Sequence, residues 1–539
     1  MYRYQKIILA FSFCCYSFYA EAIDFITFSW SMKPRFNECR RLYDINRHEY
    51  DRKIMDFSDG WVVEFISSGN SGNIPDKEYV WEIQGLGNLS AYKKIYVTNR
   101  PNLITSLSIV NGMPITKNQP VLVKANNPVN DLGNRTIRDN NNAGEGNPQP
   151  GDPIPLTWFA GEKLPETGTY RIKLTVRSRA KGYNGSPISH VENITLRNIV
   201  IVCLGDSFAS GEGNPDQDGL ADWDDKSYCI NITVVQLAEG DKSDFVDLQQ
   251  PAKWFEKAAH RSMKSGYALA AAEIENRDPH SVVTFINLAV SGAEIQNGLL
   301  QPQEDRTWMR KGQLGYLSEL VGSKNIDLLL LSIGGNDIGF SDLLKETTTG
   351  ELALDNLNSY LNRINSLKDS YNFLNLGLRD QLNVKNILIA EYPTQLFSNN
   401  YTRQFLDSSD LAHPVISNQF SCELFKEWTG YLSIRRREIE NLNIIGEKLK
   451  SARIEAASKH GWLYAGGIAD KFKNHGYCST PDQTYWITAS YSCTNEGDTR
   501  GTMHPNQKGH AIIKTSVLEK IIPLLFSAIE RVDDRSKTN

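Results

Sequence analysis

Four short runs of consecutive apolar residues in the second half of the chain leave few choices of fold. They occupy residues 199–204, 282–288, 326–333 and 387–390, and longer amphipathic stretches separate them. A strand that is apolar throughout is covered on both faces, as in a parallel sheet between two layers of helices. Because parallel strands need crossover connections, this alternation predicts an α/β domain from about residue 198 onward, with catalytic groups at the carboxyl ends of its strands.

The preceding part of the chain has a different texture. Short β-like runs broken by polar turns extend from residue 61 to about 198, and residues 169–176 alternate apolar with polar side chains. A chain of 539 residues is too long for one core, so two domains are expected. We predict a β-sandwich-like domain over residues 23–197 and the α/β domain over residues 198–539. The first domain shows no catalytic constellation, and we interpret it as a spacer or, alternatively, as a surface- or glycan-binding module.

The N-terminus has the pattern of an export signal. Arg3 and Lys6 precede an apolar run over residues 7–20, and residues 20–22 (Ala-Glu-Ala) then fit the small-x-small pattern of a cleavage site. This pattern predicts a signal peptide over residues 1–22, removed in the mature protein. The run is shorter than the roughly 20 residues that span a bilayer, and no later segment is long and apolar enough. We therefore expect a secreted or periplasmic protein without a transmembrane segment.

Charge and cysteine content exclude some partners and cofactors. The net charge is −5 with both signs spread along the chain, which argues against a nucleic-acid partner. Six of the eight cysteines lie beyond the signal, and an exported protein can form disulfides. Cys203 lies in an apolar run and is expected to be buried, whereas Cys478 and Cys493 bracket one loop and are the candidate disulfide. No cluster has zinc-ligand spacing and no phosphate-binding loop is present, so no metal or cofactor is predicted.

A candidate nucleophile follows the first apolar run. That run leads directly into Gly205, Asp206 and Ser207. Gly205 allows a sharp turn out of the sheet, and Ser207 then stands where free backbone N–H groups point outward. Such a position suits a serine that forms an ester flanked by backbone donors. A serine that merely caps a helix would have the same spacing.

Three further motifs lie at predicted strand ends or in loops. Gly292 follows the second run, where a glycine lets a backbone N–H approach a ligand. Asn336 follows the third run and offers an uncharged donor to a developing oxyanion. His504 precedes the last predicted helix, where a neutral imidazole can exchange a proton with a serine. His260 and His413 are the competing histidines.

In this order the motifs resemble those of the SGNH, or GDSL-type, hydrolases. The matching blocks are Gly-Asp-Ser at 205–207, a glycine block around 292, Gly-x-Asn-Asp at 334–337 and His-Pro-Asn at 504–506. The resemblance covers about residues 198–530. It looks closest to large secreted bacterial members with GDSxxSGEG, HRS and GGNDxGF signatures.

The resemblance implies a flavodoxin-like three-layer α/β/α fold and no cofactor. It also implies that Ser207 is the nucleophile and His504 its base. The oxyanion hole would combine the N–H groups of Ser207 and Gly292 with the side chain of Asn336. The implied reaction is hydrolysis of a carboxylic ester through an acyl-serine intermediate.

One departure from the family leaves the orientation of the imidazole open. The family commonly has an aspartate three residues before the histidine, and Gly501 stands there in this chain. Asp498 is the first candidate for the orienting group, and a main-chain carbonyl within residues 490–503 is the second. A Ser–His dyad is a third, because an orienting acid adds rate without being strictly required.

Several substrates and one rival function are compatible with these motifs. The substrates are lipid acyl esters, phospholipids and acetyl groups on a glycan, with acyl transfer as an alternative to hydrolysis. The rival is an exported adhesion or binding protein whose α/β domain is inactive, motivated by the missing acid. Activity on synthetic esters discriminates between the two classes.

Overall fold

The computed structural model describes two compact units of the chain. The described residues are 25–98 without 58–59 and 72, the short strands at 102–104, 109–110 and 113–114, residue 164, then 167–219, 251–349, 354–394, 396, 436–476, 479, 484–487, 492, 496, 498 and 500–536. One unit contains the described residues of 25–31 and 61–196, and the other those of 32–60 and 197–536. The predicted signal peptide, the Cys478–Cys493 pair and His413 lie outside the described residues.

The first unit is rich in strands, as its sequence texture predicts. Its strands are Phe25–Met32, Val63–Asn70, Lys77–Gly85, Lys93–Thr98, Asn102–Ile104, Ile109–Val110, Met113–Pro114, Gly168–Ser178 and the first part of Ile188–Gly205. Phe28 and Phe65 belong to a three-stranded sheet, and their rings pack 5.5 and 5.6 Å from the ring of Trp81 in an antiparallel sheet. The alternating side chains of Gly168–Ser178 are fully buried at Tyr170, Ile172, Leu174 and Val176. Two layers of sheet therefore share an aromatic core in this unit.

The second unit contains five parallel strands in the order β2-β1-β3-β4-β5. These are β1 (Ile188–Gly205, from residue 197 onward), β2 (Ser281–Asn287), β3 (Leu328–Ser332), β4 (Ile387–Ala390) and β5 (Leu463–Ala465). β2, β3 and β4 are buried along their whole length, as expected of strands covered on both faces. The order is that of a flavodoxin-like doubly wound sheet, so the predicted fold class is confirmed.

Helices flank this sheet. They are α1 (Phe36–Arg41), α2 (Ser207–Ser210), α3 (Gly266–Arg277), α4 (Gln313–Val321), α5 (Phe340–Thr349), α6 (Leu354–Gln381), α7 (Arg436–His460), α8 (Ile468–Phe472) and α9 (Gln507–Ser536). Single 3-10 turns lie at Arg52–Met55, Gly87–Leu89, Lys257–Ala259 and Asn336–Ile338, and short strand pairs join Tyr43–Asp44 to Glu49–Tyr50 and Asn325–Ile326 to Asn383–Val384. α3 packs on α9, and α6 packs on α7. Among the residues that the structure describes, no helix combines the length and apolar character needed to cross a bilayer.

Residues 32–60 were assigned from sequence to the β-rich domain, and the structure groups them with the α/β unit. The Glu275 carboxylate in α3 accepts hydrogen bonds from the Arg35 and Phe36 amides, at 2.7 and 3.1 Å. The Phe36 ring stacks 5.4 Å from the ring of Phe285 in β2. The segment adds one short helix and several turns to this core, so it has no long repeat that a sequence pattern could reveal.

Candidate active site

The nucleophile loop starts where β1 ends at Gly205. Gly205 has a φ of +139°, and a Cβ there would lie 1.9 Å from the Ser332 carbonyl oxygen, so only glycine fits. The buried side chain of Gln313 fixes the Gly205 peptide by donating to its carbonyl and accepting from its N–H, both at 2.8 Å. Asp206 then caps α2 by accepting the Phe208 N–H at 3.1 Å. Ser207 is consequently the first residue of α2, as the motif predicts.

His504 faces this serine. Its Nε2 lies 2.8 Å from Ser207 Oγ, which is hydrogen-bonding distance for proton transfer. Its loop ends at α9, where Asn506 Oδ1 accepts the Lys508 and Gly509 amides at 2.9 and 3.1 Å. Burial lowers the pKa of His504 although the charge of Glu212 opposes that shift. A neutral imidazole is therefore available to accept the serine proton.

The group that faces the other imidazole nitrogen is a main-chain carbonyl. His504 Nδ1 lies 3.3 Å from the carbonyl oxygen of Thr502, within the predicted 490–503 segment. Asp498, the first candidate for this role, instead places its Oδ2 3.5 Å from His260 Nε2. The intervening turn passes through Met503, a left-handed residue with φ +61° that brings the Thr502 carbonyl toward the ring.

Asn336 and Gly292 lie on the loops that follow β3 and β2. Asn336 begins a 3-10 turn, and its Nδ2 donates to the Ala293 carbonyl oxygen at 3.0 Å. Gly292 has a φ of +82°, and the preceding Val290 N–H donates to the Gly205 carbonyl oxygen at 3.0 Å. The two loops are thus joined to each other and to the nucleophile loop. Ser207 and Asn336 also line the same cavity.

A buried arginine and tyrosine support the nucleophile loop. Tyr392 donates a hydrogen bond to Asp206 Oδ2 and accepts the Gly335 N–H at 3.1 Å. Burial raises the pKa of Asp206 to about 6 despite these contacts. The guanidinium of Arg453, fully buried in α7, lies 3.8 Å from the Tyr392 ring centroid and donates to the Ile333 carbonyl at 3.0 Å. Neither Tyr392 nor Arg453 was predicted from the sequence. Helix α7 contains many charged residues, so nothing in its sequence marks one arginine as buried.

A second buried group of ionisable side chains lies beside the histidine loop. One ligand atom from each of Glu212, His260, Glu496 and Asp498 lies within 4.8 Å of the others. Their chemistry is suitable for a metal ion, but both nitrogens of His260 face carboxylates, at 2.5 Å for Glu212 and 3.5 Å for Asp498. Sequence reasoning considered His260 only as a competing base. The sequence feature that could have identified this role is the HRS block, because its His260 is hydrogen-bonded to Glu212 of the GDSxxSGEG block.

The cavity beside Ser207 is mainly apolar. It is narrow, with a free volume of about 50 Å³. Its apolar lining includes Phe208, Ile338, Phe340, Leu343, Tyr392, Pro393, Leu396, Leu442, Ile445, Leu449 and Trp486. A serine that is hydrogen-bonded to a histidine at the edge of an apolar cavity can attack an ester whose acyl chain occupies that cavity.

A sequence model of the GDSL-like lipase/acylhydrolase family matches residues 201–515, more than half of the chain. A search of curated protein sequences gave no match.

Similar solved structures include an extracellular lipase from Streptomyces rimosus, with 17% identity, 60% of this chain and 99% of that chain covered, and a TM-score of 0.36. A phospholipase A1 from Streptomyces albidoflavus is 20% identical in sequence, with 60% of this chain and 98% of that chain covered and a TM-score of 0.34. A family two carbohydrate esterase from Clostridium thermocellum is 9% identical, with 86% of this chain and 91% of that chain covered and a TM-score of 0.27. Because these scores are low, the assignment rests on the sequence match. The chain belongs to the GDSL-like lipase/acylhydrolase family.

Proposed function

We propose that this protein hydrolyses carboxylic esters through an acyl intermediate on Ser207. The observation that carries the proposal is the 2.8 Å distance between His504 Nε2 and Ser207 Oγ. His504 takes the hydroxyl proton as Ser207 attacks the ester carbonyl, and returns it to the leaving alcohol. Water then attacks the acyl-serine by the same route, and the protein is regenerated.

Main-chain and amide groups take the roles that remain. The Thr502 carbonyl accepts the Nδ1–H of His504 and so fixes the tautomer that leaves Nε2 free to accept a proton. The N–H groups of Ser207 and Gly292 and the Asn336 amide form the oxyanion hole in this proposal. Asn336 suits the role because one of its two N–H donors is held by Ala293, which orients the other. Such preorganised donors commonly supply the largest share of rate enhancement.

The substrate that we propose has an aliphatic acyl group longer than acetyl. The cavity next to Ser207 is lined by residues 442, 445 and 449 on one face of α7, all buried. An acetyl group would leave most of this apolar surface without a partner. We also propose that the protein is exported, from the N-terminal pattern described above.

The test is hydrolysis of p-nitrophenyl esters by the purified mature chain, compared with Ser207→Ala and His504→Ala. We expect activity in the wild type and a loss of at least about 10³-fold in each variant, since removal of any member of such a pair is costly. A wild type inactive on synthetic esters and phospholipids alike would refute the proposal and favour the binding-protein alternative. Activity that survives in Ser207→Ala would refute the assignment of the nucleophile.

A further inference from the structure

A bridge of three ionisable side chains, two buried and one partly exposed, joins the nucleophile loop to the histidine loop. His260 stands in the middle, 3% exposed, with its Nδ1–H donated to Glu212 Oε1 at 2.5 Å and its Nε2 3.5 Å from Asp498 Oδ2. The ring of Trp254 stacks on the His260 ring with centroids 4.7 Å apart. We call Glu212, His260 and Asp498 the acid–histidine bridge.

On one side the bridge is built into the backbone that carries Ser207. The Glu212 N–H donates to the Ser207 carbonyl oxygen at 3.1 Å. The Glu212 carbonyl accepts a hydrogen bond from His510 Nε2 at 3.0 Å, so α9 is attached at the same residue. The neighbouring Gly213 N–H donates to the Glu496 carboxylate. Glu212 therefore cannot shift without moving the nucleophile loop.

On the other side the bridge sets the turn that carries His504. Asp498 Oδ1 accepts the Arg500 N–H at 2.8 Å, and the Ser492 hydroxyl donates to the Asp498 carbonyl at 2.7 Å. The chain then passes through Gly501, whose carbonyl oxygen accepts the His504 N–H at 2.9 Å. The Thr502 carbonyl, which faces His504 Nδ1, follows directly. Its position depends on where Asp498 fixes this turn.

A buried carboxylate stands where the family has its aspartate. A Cβ at residue 501 would lie 2.1 Å from Glu496 Oε2, so the Glu496 carboxylate fills the space that a side chain there would need. An acid three residues before His504 would therefore have to displace the Glu496 carboxylate, which is buried and accepts the Gly213 N–H. The negative charges of this site reside instead on the bridge, one interaction away from the catalytic pair.

We infer that the acid–histidine bridge is a positioning device that holds the Thr502 carbonyl and His504 in register with Ser207. This inference rests on the proposed function of the same site. Glu212, His260 and Asp498 act through the two loops and touch no substrate. Burial lowers the pKa of His260, but Glu212 and Asp498 together outweigh burial and the charge of Arg500 and raise it, so the two carboxylates favour the protonated ring between them.

The experiment compares wild type with His260→Gln, which removes the ring between the two carboxylates, and Asp498→Asn, which neutralises one end of the bridge. The control is His280→Gln, an exposed histidine before β2, at the opposite end of the strands. Two readouts are taken on the full chain: kcat and KM for p-nitrophenyl butyrate, and the rate at which a p-nitrophenyl alkylphosphonate labels Ser207. Thermal melting identifies any variant that fails to fold, and the partly exposed Asp498 keeps the test open if His260→Gln does fail.

We expect both bridge variants to lose roughly 10²-fold in kcat, since misplacement of about 1 Å can cost that much. KM should stay within about threefold, phosphonate labelling should slow in parallel with kcat, and the control should match the wild type. Wild-type kcat in both variants, or a change confined to KM, would overturn the inference. So would loss of wild-type activity on chelation with recovery on adding a divalent metal, because the four residues would then be metal ligands. A wild type that neither hydrolyses nor becomes labelled would instead refute the proposed function.

Discussion

The cavity beside Ser207, which we propose receives the acyl chain, leads to a prediction about kcat/KM whose magnitude follows from the cavity lining. Leu442, Ile445 and Leu449 present one apolar face of α7 to the space beside Ser207. Each methylene that moves from water into such a site contributes about 0.8 kcal/mol, or roughly fourfold in kcat/KM. From acetyl to hexanoyl the acyl chain gains four methylenes, which amounts to about 3 kcal/mol and roughly 200-fold. We expect kcat/KM for p-nitrophenyl esters to rise by about this factor, until the cavity is full.

Leu449 is the residue to perturb, because substitutions there can shorten or lengthen the same cavity. Leu449→Phe should end the rise at a shorter acyl chain, and Leu449→Ala should extend it to a longer one. The alanine variant should also lose about 2–5 kcal/mol of stability, as is usual for a buried leucine, so its melting temperature is measured beside its activity. Leu376→Phe, at a leucine that is 56% exposed on α6, is the matched control and should keep the wild-type profile.

The dependence of kcat/KM on acyl length tests whether the cavity receives the acyl chain. The assay is kcat/KM from acetyl to palmitoyl esters at concentrations below micelle formation, plotted as its logarithm against acyl length. An acetyl ester hydrolysed as well as the hexanoyl ester would show that the cavity does not receive the acyl chain. An unchanged profile in both Leu449 variants would show the same, whatever the slope.

Three further predictions concern the catalytic groups. Asn336→Ala should lower kcat by about 10²–10³-fold with little change in KM, and a loss below tenfold in steady-state assays would contradict its oxyanion role. Because the base must be neutral and burial lowers the pKa of His504, the acid limb of the kcat/KM–pH profile should lie below the ordinary histidine value of about 6.5; a limb at or above it would be contrary to expectation. Gly501→Asp, which restores the family residue, should reduce kcat and the melting temperature because Glu496 occupies the space; a gain in kcat would disprove that explanation.

The fold was predictable because its signals are local. The apolar runs that become β1 to β4 are covered on both faces, and this shows in the sequence as unbroken hydrophobicity. The positions of Ser207 and His504 in the fold were predictable for a similar reason, since each lies in a short motif at a strand end or before a helix. The 2.8 Å contact between them spans 297 residues, and only the order of the motifs indicated that they meet.

Hydrogen bonds that depend on how separate elements pack were not predictable from the sequence. Asp498 and Thr502 are both close to His504 in sequence, and the choice between them depends on the left-handed turn at Met503. Arg453 reaches the Ile333 carbonyl 120 residues away, and its helix shows no pattern that marks one arginine as buried. Such contacts depend on how elements pack, which periodicity and spacing do not encode.

The pairing of residues 32–60 with the α/β unit has a consequence for the order in which the chain can fold. Phe36 receives its Glu275 partner from 239 residues further along. At synthesis rates of roughly 5–20 residues per second, that glutamate leaves the ribosome about 10–50 s after Phe36. Throughout this interval Phe36, Ile54 and Met55, all buried in the finished protein, have no core to join. The nascent chain thus carries an early apolar segment that a chaperone could hold while the β-rich unit is made. For the same reason, cutting the gene at residue 198 would remove part of the α/β core.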